Sequence, residues 1–121
     1  MRFLENEYAT LWIEDGILFC KYKEGSRINI EAAKTIVDMK LSLLNGSKLP
    51  CYCDITGLKE ADKMARDFIA KRIDSFLTKL ALVAGNTVSR IIGDFFIGLD
   101  KPKIETKIFT DKQSALEFLR A

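Results

Sequence analysis

The feature that most constrains this chain is an alternation of periods: from residue 29 onward, short strand-like apolar segments are separated by segments with the 3.6-residue period of helices. Tyr8 to Glu14 alternates and is joined through Asp15-Gly16 to Ile17 through Lys23, the turn chemistry of a two-residue hairpin. Asn29 is placed to cap a helix whose apolar positions Ala33, Ile36, Val37, Leu41 and Leu44 stop at Asn45-Gly46. Pro50 opens a buried strand over Cys51 to Ile55, and Thr56-Gly57 turns the chain into a second helix with the apolar face Ala61, Met64, Ala65, Phe68 and Ile69. Leu80 to Ala84 is apolar without a break, which predicts a strand covered on both faces. Gly85-Asn86 then leads into a third helix expected to carry Val88, Ile91, Ile92, Phe95 and Leu99 inward until Pro102. Ile104 to Phe109 alternates as a half-buried strand. The last helix has Thr110 and Gln113 at capping-box spacing and an Ala115, Leu116, Leu119 stripe.

The order is thus β-β-α-β-α-β-α-β-α. Strands separated by helices imply right-handed crossovers and a mixed, mostly parallel α/β sheet, with the initial hairpin at its antiparallel edge and about four helices around it. A length of 121 residues is near the usual size of one domain, so residues 1–121 are expected to fold as a single unit without disulfides or a metal.

Several function classes are disfavoured. Net charge is only +2 with both signs interspersed, unlike the concentrated footprint of a nucleic-acid binder. No apolar run approaches the roughly 20 residues of a membrane span. Met1 through Glu7 lacks the apolar core of a signal peptide, so a cytoplasmic protein is expected. Cys20, Cys51 and Cys53 read as small apolar core residues and not as a disulfide framework. The chain has no histidine, which removes conventional Ser-His or Cys-His pairs and most zinc ligand sets. Gly93 and Gly98 lie inside a helical pattern, where close packing accounts for them, and no phosphate-binding glycine loop occurs. Asp54, Glu60, Asp62 and Asp67 form a weak carboxylate pocket candidate near the end of the central strand, the usual ligand crevice of parallel sheets. The expectation is a protein that is no enzyme, with no cofactor and no metal.

The succession of elements resembles the STAS domain, and within it the bacterial SpoIIAA-like proteins of the anti-sigma-factor-antagonist type. The resemblance covers the whole chain. It is carried by the Tyr8-to-Tyr22 hairpin, the strand exit Cys53-Asp54-Ile55-Thr56-Gly57, and the ending from Phe109-Thr110-Asp111 to Ala115-Leu116-Glu117-Phe118-Leu119. Antagonists of the family have a strand ending in Asp-Leu-Ser, then Asp-Ser-Ser-Gly at the start of the next helix, where a partner kinase phosphorylates a serine. Asp54-Ile55-Thr56-Gly57 matches the first element. At the second this chain reads Ala61-Asp62-Lys63-Met64-Ala65, without the acceptor serine. Thr56 then has two readings: a phosphate acceptor before a helix start, or a hydroxyl that caps the turn.

The resemblance implies a non-catalytic regulatory or protein-interaction module, with Asp54, Thr56, Gly57, Asp62 and Lys63 as the expected partner or phosphate contact. The alternative is an apolar small-molecule or lipid binder, as in SEC14-type relatives of the fold, using Val88, Ile92, Phe95 and Phe96 as a pocket or dimer surface. Phe95, Phe96 and Ile97 are consecutive, and three adjacent side chains on a helix cannot all face one core. A homodimer contact is the simplest outcome for whichever faces out. Trp12 shares a strand face with Tyr8 and either joins an outward aromatic patch or packs beneath a helix.

Overall fold

The computed structural model describes residues 3–121. Met1 and Arg2, which the one-domain expectation and the reading of the N-terminal stretch include, lie outside the described residues. In chain order the elements are β1 (Phe3–Glu5), β2 (Ala9–Glu14), β3 (Ile17–Tyr22), β4 (Ser26–Ile28), α1 (Ile30–Leu44), β5 (Leu49–Asp54), β6 (Leu58–Ala61), α2 (Lys63–Arg72), β7 (Leu77–Val83), α3 (Thr87–Phe95), β8 (Thr106–Phe109) and α4 (Lys112–Arg120). The main sheet runs β1-β2-β3-β5-β7-β8, antiparallel through β3 and parallel from there on. Asp15 and Gly16 both take positive φ, 51° and 74°, as the β2–β3 hairpin turn demands.

Side chains alternate across this sheet and feed two cores. Leu18, Cys20, Cys51, Cys53, Leu80 and Leu82 face the layer holding α1, α2 and the end of α3, against Ala33, Ile36, Ala65 and Phe96. Ile17, Phe19, Tyr52, Ala81 and Val83 face the opposite way and are covered by Ala115 and Leu119 of α4. Trp12 belongs to this second face, stacked on Phe19 with ring centroids 5.2 Å apart and planes 3° from parallel. The mixed, mostly parallel sheet with four helices and an N-terminal hairpin is the expected fold.

The structure adds three short strands: β1 at the sheet edge, and β4 and β6, which pair in parallel as a separate ribbon. Asn29 caps α1 by accepting from the Ala32 N–H at 2.9 Å, and Asn45 ends it in the left-handed region. Three helix faces differ from expectation: on α2, Met64 is exposed and Ala61 belongs to β6 instead. On α1 the inner face takes Lys40, 3% exposed, while Leu41 is 46% exposed. On α3 the expected inward set is largely outward: Val88, Ile91, Phe95 and Leu99 are exposed, and Ser89, Gly93 and Phe96 turn inward instead. The reason is Gly93. A Cβ there would lie 3.0 Å from Ile108 Cδ1 and 3.3 Å from Ile55 Cδ1, so the helix approaches the sheet on its small-residue side. Gly98 has open space around it, so close packing explains Gly93 alone. The α4 cap is also corrected: Asp111, not Thr110, accepts from the Ser114 N–H at 2.8 Å.

Candidate functional site

The carboxyl edge of the parallel strands is where β5 and β7 release their loops, and it organises the first group of expected site residues. Asp54 Oδ1 accepts from the Thr56 N–H at 2.9 Å, which folds the exit of β5 back on itself. The Thr56 hydroxyl oxygen accepts from the Gly85 N–H at 2.9 Å, and the Thr56 carbonyl accepts from Asn86 Nδ2 at 3.0 Å. Asn86 is at the same time the N-cap of α3, in a reciprocal capping box with Ser89. Thr56 is therefore tied to the start of α3. Gly57 passes so close to the end of β3 that a Cβ would stand 2.5 Å from the Tyr22 carbonyl oxygen.

The other two expected contact residues are not part of this group. Strand β6 intervenes, roughly 13 Å of extended chain. Asp62 is the N-cap of α2, accepting from the Ala65 N–H at 2.9 Å, and Lys63 pairs with Asp67 at 2.8 Å. The helix start behind the phosphate-acceptor reading of Thr56 is accordingly not the one beside it. The carboxylate pocket does not assemble either: Glu60 pairs with Arg27 at 2.7 Å, and each of the other three has the partner just named. Among the described residues no cluster of His, Cys, Asp or Glu could hold a metal ion.

The second group lies under the sheet. A cavity of about 60 Å³ opens between α1, α2, α3 and the strands, lined by Ile69, Ile73, Leu82, Ile92 and Phe96, with Lys40 and Arg66 as its cations. Of the four residues expected as one apolar surface, Ile92 and Phe96 line this cavity, whereas Val88 and Phe95 lie outside it, half exposed. Arg66 is held by three contacts: Nε donates to Asp100 at 2.8 Å, Nη1 donates to the Ala61 carbonyl at 2.7 Å, and the guanidinium lies over the Phe95 ring.

Lys40 is different. It forms no ion pair among the described residues. The groups facing it are Cys20, Tyr22, Cys53 and Cys51, and no carboxylate is among them. Burial opposes its charge, and negative charge on those groups, Cys20 first, turns the balance upward only where they ionise. Three of the four keep their protons at neutral pH. Burial pushes the Cys51 thiol up to about 12 and lifts Tyr22, and a hydrogen bond with Cys20 together with burial lifts Cys53. Only Cys20 moves down, through the Cys53 hydrogen bond and against burial, with Lys40 helping. All three thiols are free and buried, which fits their reading as core residues. Helical periodicity alone puts Lys40 on the α1 stripe of Ala33, Ile36, Val37 and Leu44, so its position is readable from sequence. Its apolar surroundings are not.

Among the described residues no helix is long and apolar enough to cross a membrane. No curated protein matches the sequence. Solved structures share the fold, among them two with little sequence identity. An uncharacterized protein of the DUF3478 family with a SpoIIAA-like fold, from Shewanella loihica PV-4, is 17% identical and has a TM-score of 0.64 over 96% of this chain and 98% of its own. A serine-to-glutamate variant of RsbS from Moorella thermoacetica is 16% identical, with a TM-score of 0.59 over 91% of this chain and 92% of its own. They bear out the SpoIIAA-like architecture to which the sequence bears a resemblance. A family model described as "Domain of unknown function (DUF7793)" matches residues 11–121, nearly the whole sequence, and the chain therefore belongs to the DUF7793 family.

Proposed function

We propose that this chain is a single-domain, non-catalytic regulatory module of STAS type, cytoplasmic, which works by binding a protein partner at the carboxyl edge of its parallel sheet. The observation that carries this reading is the Asp54–Thr56–Gly85–Asn86 network, a partly exposed hydroxyl fixed by hydrogen bonds between two loops. Such an edge is rigid before contact, so docking on it orders little and costs little conformational entropy. Asp62 and Lys63 drop out of the contact, and the start of α3 takes their place.

Thr56→Glu places a charge at the centre of this network and removes the acceptor for Gly85. It is expected to reduce partner capture at least about tenfold, whereas Thr56→Ser keeps the hydroxyl and leaves capture near wild type. Affinity purification from the native source, with both variants quantified against wild type, measures this. Equal capture by Thr56→Glu and wild type removes the edge from the interface.

In this reading the chain pairs as a homodimer through the outward stripe Val88, Ile91, Phe95 and Leu99 on α3 and the turn after it, since Ile92 and Phe96 are turned to the cavity. Native mass spectrometry is expected to find twice the 13.7 kDa chain mass and to lose it in Ile91→Asp. A spectrum of monomer alone counts against pairing. The cavity under α2 and α3 favours a second reading, binding of a small apolar molecule, because its lining is apolar except for Lys40, Arg66 and the Tyr22 and Cys53 side chains.

A further inference from the structure

We propose that this cavity binds a short aliphatic carboxylate, with the ligand's carboxylate on the Lys40 ammonium and its alkyl part against Ile69, Ile73, Ile92 and Phe96. The inference rests on the apolar-ligand reading and gives it a chemical class.

A lysine stem ordinarily runs along apolar surface until its charge reaches water. Lys40 instead projects from the inner face of α1 toward the sheet and stays 3% exposed. Among the described residues every fully occluded side-chain nitrogen and oxygen has a hydrogen-bond partner. No hydrogen bond or ion pair of Lys40 Nζ is found among the described residues, so the nitrogen is not fully occluded, and Lys40 lines the cavity. The second cation on the wall, Arg66, is taken up by Asp100, the Ala61 carbonyl and the Phe95 ring. Lys40 is thus the cation left to read a ligand.

An ordered buried water needs two to four polar partners, and with Lys40, Tyr22 and Cys53 in the lining water is the occupant that a ligand has to displace. The protein's own groups facing Lys40 are three thiols and a phenol, and Cys20, the one drawn down, offers a single soft sulfur. A carboxylate offers two oxygens and the stronger charge-assisted hydrogen bond. Size admits a small ligand: the cavity's about 60 Å³ is several times the roughly 10–15 Å³ that one water needs on the same measure, which leaves room for a short-chain acid.

The test is titration of the full chain with sodium propionate and, in parallel, 1-propanol, observed through the Ile73 and Ile92 methyl signals by NMR. Propionate is expected to shift them saturably and to bind at least about tenfold more tightly than the alcohol. Lys40→Met, which keeps length and removes charge, is expected to lose that preference and still bind the alcohol. Equal affinities in the wild type, or a preference that survives in Lys40→Met, overturn the carboxylate inference and leave an apolar pocket standing. Failure of both probes to bind overturns the pocket reading as well. The wild-type comparison decides the matter even if the variant does not fold.

Discussion

Gly57→Ala is expected to cost about 3 kcal/mol or more of stability and to lower the melting temperature by roughly 10 °C, the largest effect of any single-methyl addition outside the core. The added Cβ would stand 2.5 Å from the Tyr22 carbonyl oxygen and 2.7 and 2.8 Å from the Lys23 carbonyl oxygen and carbon. These are backbone atoms at the end of a paired strand, so no side chain can rotate away to relieve the overlap. The segment would have to lift, and lifting it breaks the bonds that the Gly57 carbonyl accepts from the Gly25 N–H at 2.9 Å and the Ser26 N–H at 3.3 Å. Those bonds seat β4 and β6, and with them the loop that presents Thr56. Gly98→Ala provides the contrast, because nothing lies within 4 Å of where its methyl would sit and a helical alanine is favoured over glycine. Thermal melts of the two variants beside wild type check this. Similar melting temperatures for Gly57→Ala and Gly98→Ala would mean the crossing at Tyr22 is not tight.

What is legible in the sequence follows from what periodicity encodes. Two-residue alternation in Tyr8 to Glu14, the Asp15-Gly16 turn and the apolar run at Leu80 report burial directly, so the sheet and its order are readable. Strands β4 and β6 are three and four residues long, too short for a period, and their pairing depends on the Gly57 crossing. Without β6, Thr56 joins Asp62 and Lys63 in one expected site, when the chain in between carries them apart. On α3 the apolar stripe is real but its direction is not encoded by hydropathy. Ser89 and Gly93 win the inner face because the sheet at Ile55 and Ile108 leaves no room for larger side chains. Gly85 and Asn86 read as a mere helix start, and their bonds to Thr56 span about thirty residues, beyond any local signal. The cavity escapes for a similar reason, since it is made by three helices that meet only in three dimensions.

Arg66→Met is expected to cost about 3 kcal/mol near pH 7, because it strands the Asp100 carboxylate. The side chains of the pair are 14% and 3% exposed, and their bond is 2.8 Å long. Asp100 already sits above the ordinary carboxylate range, since burial outweighs the stabilisation by Arg66 and a hydrogen bond with Asp67 adds to the rise. A folded-state carboxyl raised in this way holds its proton more tightly than the unfolded chain does. Its contribution to stability is present below the unfolded value near 4 and is lost as pH rises through the folded value. Removing Arg66 raises Asp100 further and widens that window. The loss should then be largest at neutral pH, shrink toward about pH 4 as Asp100 takes up a proton, and be mostly recovered by adding Asp100→Asn. Denaturant unfolding of wild type, Arg66→Met and the double variant at both pH values measures it. A loss equal at the two pH values would assign the role of Arg66 to its packing on Phe95 and its bond to Ala61. With Arg66 paired to Asp100 in this way, Lys40 is the lining cation that has no ion pair among the described residues.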